Sequence, residues 1–134
     1  MQSEAKAAPV SKAMLWTGRI LTAIPALFLT MDGVMKLFKP APVVEGTVQL
    51  GYPESVIVAL GIVLLVSTVL YVIPRTAVLG AILLTGYLGG ATASHVRMGG
   101  PLFNIVFPSL VGIMIWGGIY ARDARLRALI PLRK

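Results

Sequence analysis

Asp32 and Lys36 are the pair in this 134-residue chain whose types and spacing point most directly to chemistry. Four residues apart on a helix, a carboxylate and an ammonium share one face and form an ion pair. Glu45 and Gln49 repeat the spacing, His95 and Arg97 add an imidazole and a fixed cation, and Asn104 adds an amide. Brought together, these side chains would make a polar pocket. Asp32 and His95 would handle protons there, and Arg97 would hold an anionic group. Plainer readings stand beside that one. Asp32 neutralises Lys36, whose flexible stem reaches outward to water. His95 is a hydrogen-bonded neighbour at a helix end, and Arg97 anchors its helix. Much other chemistry is closed. The chain has no cysteine, which removes disulfides, thiolate metal sites, iron–sulfur ligation and thiol nucleophiles. Its one histidine cannot supply both axial ligands of a haem. No metal, no intrinsic cofactor and no catalytic residue is assigned, and the residues lean away from an enzyme.

The elements that must position these groups follow from composition. Hydrophobic residues make up 57 % of the chain and charged residues 13 %, against about 25 % charged in a soluble domain. Mean hydropathy is +0.86. Four runs approach the roughly 20 apolar residues needed to cross a bilayer: 14–38, 56–73, 76–96 and 102–120. The last three carry no Asp, Glu, Lys or Arg. A soluble bundle would need a polar outer face on each helix, and these runs have none. The chain therefore reads as one all-α domain, an integral membrane four-helix bundle with short links and up-down-up-down order. The first run is too long for a signal-peptide core and is expected to be retained. The link 39–55 holds three prolines around residues 43–50, read as a short interfacial or re-entrant helix.

Net charge is +7. Lys6, Lys12, Arg19, Arg75, Arg122, Arg125, Arg127, Arg133 and Lys134 fall on the side of the termini, and Lys36, Lys39 and Arg97 on the other. The positive-inside bias places both termini in the cytoplasm. Trp16, Tyr71, Trp116 and Tyr120 read as anchors at headgroup depth. Arg122, Arg125 and Arg127 lie in a basic tail, 121–134, that reads as bending along the anionic leaflet. The bilayer is thus the first partner, and nucleic acid is not needed to explain the basic charge. Gly80, Gly86, Gly89 and Gly90 make the third run rich in small residues, suited to close helix packing or to a homo-oligomer contact. Tyr87 lies at mid-depth, where its hydroxyl must find either a ligand head group or a carbonyl on a neighbouring helix.

The run LYVIPRTAVLGAILLTGYLGGA at 70–91 resembles the DoxX-like family of small bacterial membrane proteins. Matching positions include Trp16, Gly18, Arg19, Asp32, Gly33, Lys36, Tyr52, His95, Arg97, Pro108 and Gly118. The resemblance implies a four-helix bundle in a bacterial cytoplasmic membrane. It carries no catalytic residue onto this chain, and without cysteine no thiol chemistry transfers. Its implied role is a non-catalytic subunit or assembly factor of a larger membrane complex, held to other membrane proteins. The alternative is a subunit of an oxidoreductase that binds quinone or another small lipophile, with lipid or quinone as its ligand.

Overall fold

A computed structural model describes residues 11–130. Lys6, Arg133, Lys134 and the end of the tail lie outside the described residues. Four long helices dominate: α1 (Lys12–Phe38), α3 (Ile57–Val72), α4 (Ala77–Arg97) and α5 (Leu102–Arg122). A link helix α2 (Ala41–Gln49) and a tail helix α6 (Ala124–Leu129) complete the fold, and the described residues contain no strand. All four long segments are long and apolar enough to cross a membrane.

Helix boundaries follow local chemistry. The Ser11 hydroxyl accepts the Met14 amide at 3.1 Å and caps α1. Lys39 turns left-handed at φ 54 to close α1, and Pro40 prevents its continuation. Ile73 is extended because Pro74 follows it. Gly99, at φ 66, ends α4 before Pro101 opens the next helix. The tail does not simply extend α5. Asp123 is extended and breaks the helix, and its carboxylate then caps α6 by accepting the Arg125 amide at 2.9 Å.

The helices form a ring in which α1 packs on α3 and α5, and α4 closes the ring against both. Glycines set the close crossings. Gly18 and Gly118 meet between α1 and α5, Gly33 and Gly61 between α1 and α3, and Gly80 meets Tyr71 of α3. A Cβ on Gly61 would lie 2.9 Å from the Gly33 carbonyl oxygen. At these points the helix backbones themselves touch, as membrane packing favours. Gly18 beside Arg122 puts the start of α1 and the end of α5 at one end of the bundle, called proximal below. Asp32, Lys36, His95 and α2 lie at the distal end.

Tyr71 corrects one expectation. It is 1 % exposed and belongs to the core rather than the headgroup layer. Its hydroxyl donates to the Ile115 carbonyl at 2.9 Å. The buried hydroxyls Ser67 and Thr68 each donate to the carbonyl four residues back, at 2.8 Å. No buried side-chain polar atom lacks a partner among the described residues, as a medium without water requires. The outer surface is the reverse of a soluble protein's. Between 17 % and 33 % of each span's most apolar stretch is buried inside the protein, so most of that surface needs lipid as its solvent. The chain is a multi-pass membrane protein.

Candidate functional site

A cavity of about 350 Å³ lies inside the distal half of the ring. It is built by helical repetition. On α1 the positions Phe28, Asp32 and Lys36 follow each other at i, i+4, i+8 down one face, and on α4 the positions Gly86, Gly90 and Ser94 do the same. Tyr87, Ala91 and His95 line it beside them, and Phe107, Pro108 and Val111 of α5 close one side. The floor is apolar, with Phe28 and Phe107 in an edge-to-face contact at 5.3 Å between ring centres. Gly86 and Gly90 make room, since nothing approaches within 4 Å of where a Cβ would be on either.

The link forms the roof through Thr47, Leu50 and Tyr52. Two side-chain bonds from α4 hold it. The Ser94 hydroxyl spends its hydrogen on the Gly90 carbonyl at 2.8 Å. The Tyr52 hydroxyl therefore donates to Ser94 Oγ, at 2.6 Å. Arg97 Nη2 donates to the Leu50 carbonyl at 2.7 Å. Gly51, at φ 97, leaves space for that guanidinium, for a Cβ there would lie 2.7 Å from Nη2. Lys39 and Glu54 pair at 3.3 Å across the ends of the link.

The polar wall is charge-balanced. Lys36 Nζ and Asp32 Oδ1 are 2.9 Å apart, with the lysine side chain 13 % exposed and the aspartate 34 %. An ammonium has three donors, so Lys36 keeps two beyond this bond. The Tyr87 hydroxyl makes no hydrogen bond among the described residues and lines the cavity, so the carbonyl partner expected on a neighbouring helix is not there. Tyr87, Lys36 and His95 thus present donors above an apolar floor. That arrangement suits an amphiphile whose head group accepts hydrogen bonds.

The structure gathers the sequence candidates only in part. Asp32, Lys36 and His95 line the cavity. Arg97 is outside the lining and fastens the roof. Glu45 and Gln49 lie on exposed positions of α2, and Asn104 is exposed at the start of α5, so none of the three joins the lining. Of the four glycines read as packing residues, Gly80 is in a crossing, whereas Gly86, Gly89 and Gly90 face open space within the chain. Two of the tail arginines serve the protein itself. Arg122 donates from Nε to the Gly118 carbonyl at 3.1 Å and from Nη2 to Thr22 Oγ1 at 3.0 Å. Arg127 donates to the Tyr120 and Ala121 carbonyls, while Arg125 is exposed. Sequence reasoning named Tyr52 only as part of the family resemblance and passed over Ser94 and Thr47 as site residues. The three prolines around the link were the available signal, since they shape it into a roof. No group of three His, Cys, Asp or Glu side chains with metal-site geometry occurs among the described residues.

The model of the DoxX-like family matches residues 20–118 of the chain. That stretch contains α3 and α4 whole, most of α1 and α5, and every residue lining the cavity. No curated protein and no solved structure matches.

Proposed function

The chain belongs to the DoxX-like family, and we propose that it is a non-catalytic membrane protein that binds a small lipophile with an uncharged polar head group in the distal cavity. The carrying observation is the cavity itself: an apolar floor, a self-neutralised Asp32–Lys36 pair, and an unspent Tyr87 hydroxyl beneath a tied-down roof. Its volume is within the usual range for small-molecule sites. A net-neutral wall gives no premium to a charged ligand, whereas donors at one end favour a carbonyl-bearing ring. A quinone is the lipophile class that fits both ends.

The test uses the open glycine. Leucine at Gly90 meets no neighbour at its Cβ and fills the cavity with its remaining atoms. Gly90→Leu is expected to weaken binding of a short-chain benzoquinone at least tenfold while the protein stays folded, because leucine also favours helix over glycine. Titration of the detergent-solubilised protein by quenching of Trp16 and Trp116 emission reads this. Equal affinity of both proteins would sink the reading.

A second reading, a subunit within a larger membrane assembly, is favoured by a shallow groove between α4 and α5. Gly89, Thr92, Ser109 and Gly112 line it on the lipid-facing side, and such small residues admit a partner helix. Mass spectrometry of the mildly solubilised protein separates the two readings. A stoichiometric partner protein with an empty cavity supports the second, and bound lipophile lost in Gly90→Leu supports the first.

We place the proximal end in the cytoplasm of a bacterial inner membrane. Among the described residues, Lys12, Arg19, Arg75, Arg122, Arg125 and Arg127 lie there, against Lys36, Lys39 and Arg97 at the distal end. With no native cysteine, Glu45→Cys on the exposed side of α2 creates a unique thiol. An impermeant maleimide is expected to label it in spheroplasts, with the outer membrane removed and the inner membrane intact. Labelling that requires lysis of the spheroplasts reverses the orientation.

A further inference from the structure

At the proximal end, remote from the distal cavity, the tail folds back on α5. After the break at Asp123, Arg127 Nη1 donates to the carbonyls of Tyr120 at 2.7 Å and Ala121 at 3.1 Å. The last carbonyls of a helix have no partner within it, so this one guanidinium both satisfies them and pins α6. Leu126 is buried as a result. Leu129 and Ile130, three and four residues on, stay largely exposed.

The fold-back creates a cleft of about 270 Å³ walled by Ile113, Trp116, Gly117, Tyr120, Leu126 and Ile130. The cleft opens to the lipid side, where Ile113 is 67 % exposed. Its occupant is therefore hydrocarbon. A lipid tail gains no hydrophobic energy by moving from bilayer to cleft, so any selectivity must come from the head group. The arginines of α6 supply it. The Arg125 side chain is 77 % exposed and only 4.0 Å from Asp123. Arg127 keeps its Nη2 and Nε donors beyond the two carbonyl bonds. Asp123 is the one acid at this end among the described residues, and its carboxylate already caps α6. Arg127 bonds the carbonyl of Tyr120, a wall residue, and Arg125 and Arg127 flank Leu126 of the wall in sequence, so two guanidinium groups on α6 are available to a phosphodiester with its acyl chain in the slot.

We propose that this cleft is a discrete site for one anionic phospholipid, its chain lying between α5 and α6 and its phosphate held by Arg125 and Arg127. The test is native mass spectrometry of the full chain released from nanodiscs of equal phosphatidylglycerol and phosphatidylcholine. One phosphatidylglycerol is expected to stay bound in preference to phosphatidylcholine. Arg125→Gln, which removes no buried contact, is expected to lower its retention about fivefold, the weight of one arginine near an anionic lipid surface. Arg75→Gln removes the same charge from the proximal end outside the cleft and is expected to leave retention unchanged. Equal retention of the two lipids overturns the proposal. Equal losses in the two variants overturn it as well, since they mean diffuse attraction to a basic surface. Efficient disulfide dimerisation of Ile113→Cys in the absence of added lipid would assign the cleft to a second copy instead. None of these outcomes depends on the distal cavity holding a ligand.

Discussion

Gly80→Leu is expected to destroy the folded bundle. A Cβ at position 80 would collide with the Tyr71 amide nitrogen and Cα, and would lie 2.7 Å from the Leu70 carbonyl carbon. These are backbone atoms, so no side-chain rotation relieves the clash, and α3 and α4 must separate. Overpacking a core costs about 1–3 kcal/mol when side chains can yield, and more when they cannot. The separation also drags Tyr71 from the Ile115 carbonyl, 2.9 Å away. That leaves the buried Tyr71 hydroxyl without its carbonyl acceptor, and an unmet buried donor adds about 1–3 kcal/mol. Gly89→Leu is the matched control, because nothing lies within 4 Å of its Cβ position. Size-exclusion profiles and melting in detergent are expected to show aggregated or absent protein for Gly80→Leu and near-native behaviour for Gly89→Leu. Similar melting of the two variants would mean that α3 and α4 do not cross where Gly80 meets Tyr71.

The second large effect concerns the cavity wall. Lys36→Met leaves the Asp32 carboxylate without the ammonium 2.9 Å away. Aspartate has a short stem and cannot reach the distal surface, so the charge stays below the interface. Insertion scales put an ionisable group at mid-bilayer near 2.5–3.5 kcal/mol, and because Asp32 is closer to the end of its span the variant is expected to lose about 2 kcal/mol, somewhat below that range. Asp32→Ala costs less, because the stranded lysine can extend its stem outward. The double variant Asp32→Ala/Lys36→Met removes both charges and is expected to recover most of the lost stability, as paired buried charges commonly do. A double-mutant cycle on the melting free energy measures the coupling. Additive losses would show that the two groups act independently. The double variant is also expected to bind the benzoquinone at least tenfold more weakly while remaining folded, which separates the pair's contribution to binding from its contribution to folding.

Several features of the site could be foreseen from spacing alone. Asp32 and Lys36 pair because i,i+4 geometry is local to one helix. His95 comes to the same end because the short links carry α1 and α4 back to the distal side. Glu45 and Gln49 share that i,i+4 spacing, yet both lie on exposed positions of α2 rather than in the lining. Spacing says which residues share a face, and it does not say what that face meets. Tyr87 and Ser94 show the same limit from the other side. Tyr87 could be seen to need a partner, either a ligand or a carbonyl, and Ser94 did not stand out in a run so rich in apolar and small residues; only the rotation of α4 turns both inward.

The glycines make the physical reason plain. Gly86 and Gly90 form the G-x-x-x-G pattern that marks helix packing, and within the chain both face the open cavity. Gly18 meets Gly118, and Gly33 meets Gly61, across different helices, so no single-helix pattern announces these crossings. In a soluble protein the polar stripe of each helix would show which side turns outward. Here lipid is as apolar as the core, and the spans carry apolar side chains all round. The order of apolar and charged residues along the sequence therefore determined that the chain crosses a membrane, where its four spans lie and at which end its positive charge collects, because burying backbone in lipid demands long apolar helices. Which face of each helix turns inward, and so which polar residues meet in one cavity, was decided only by close packing at the glycine crossings and by the two hydrogen bonds that hold the roof.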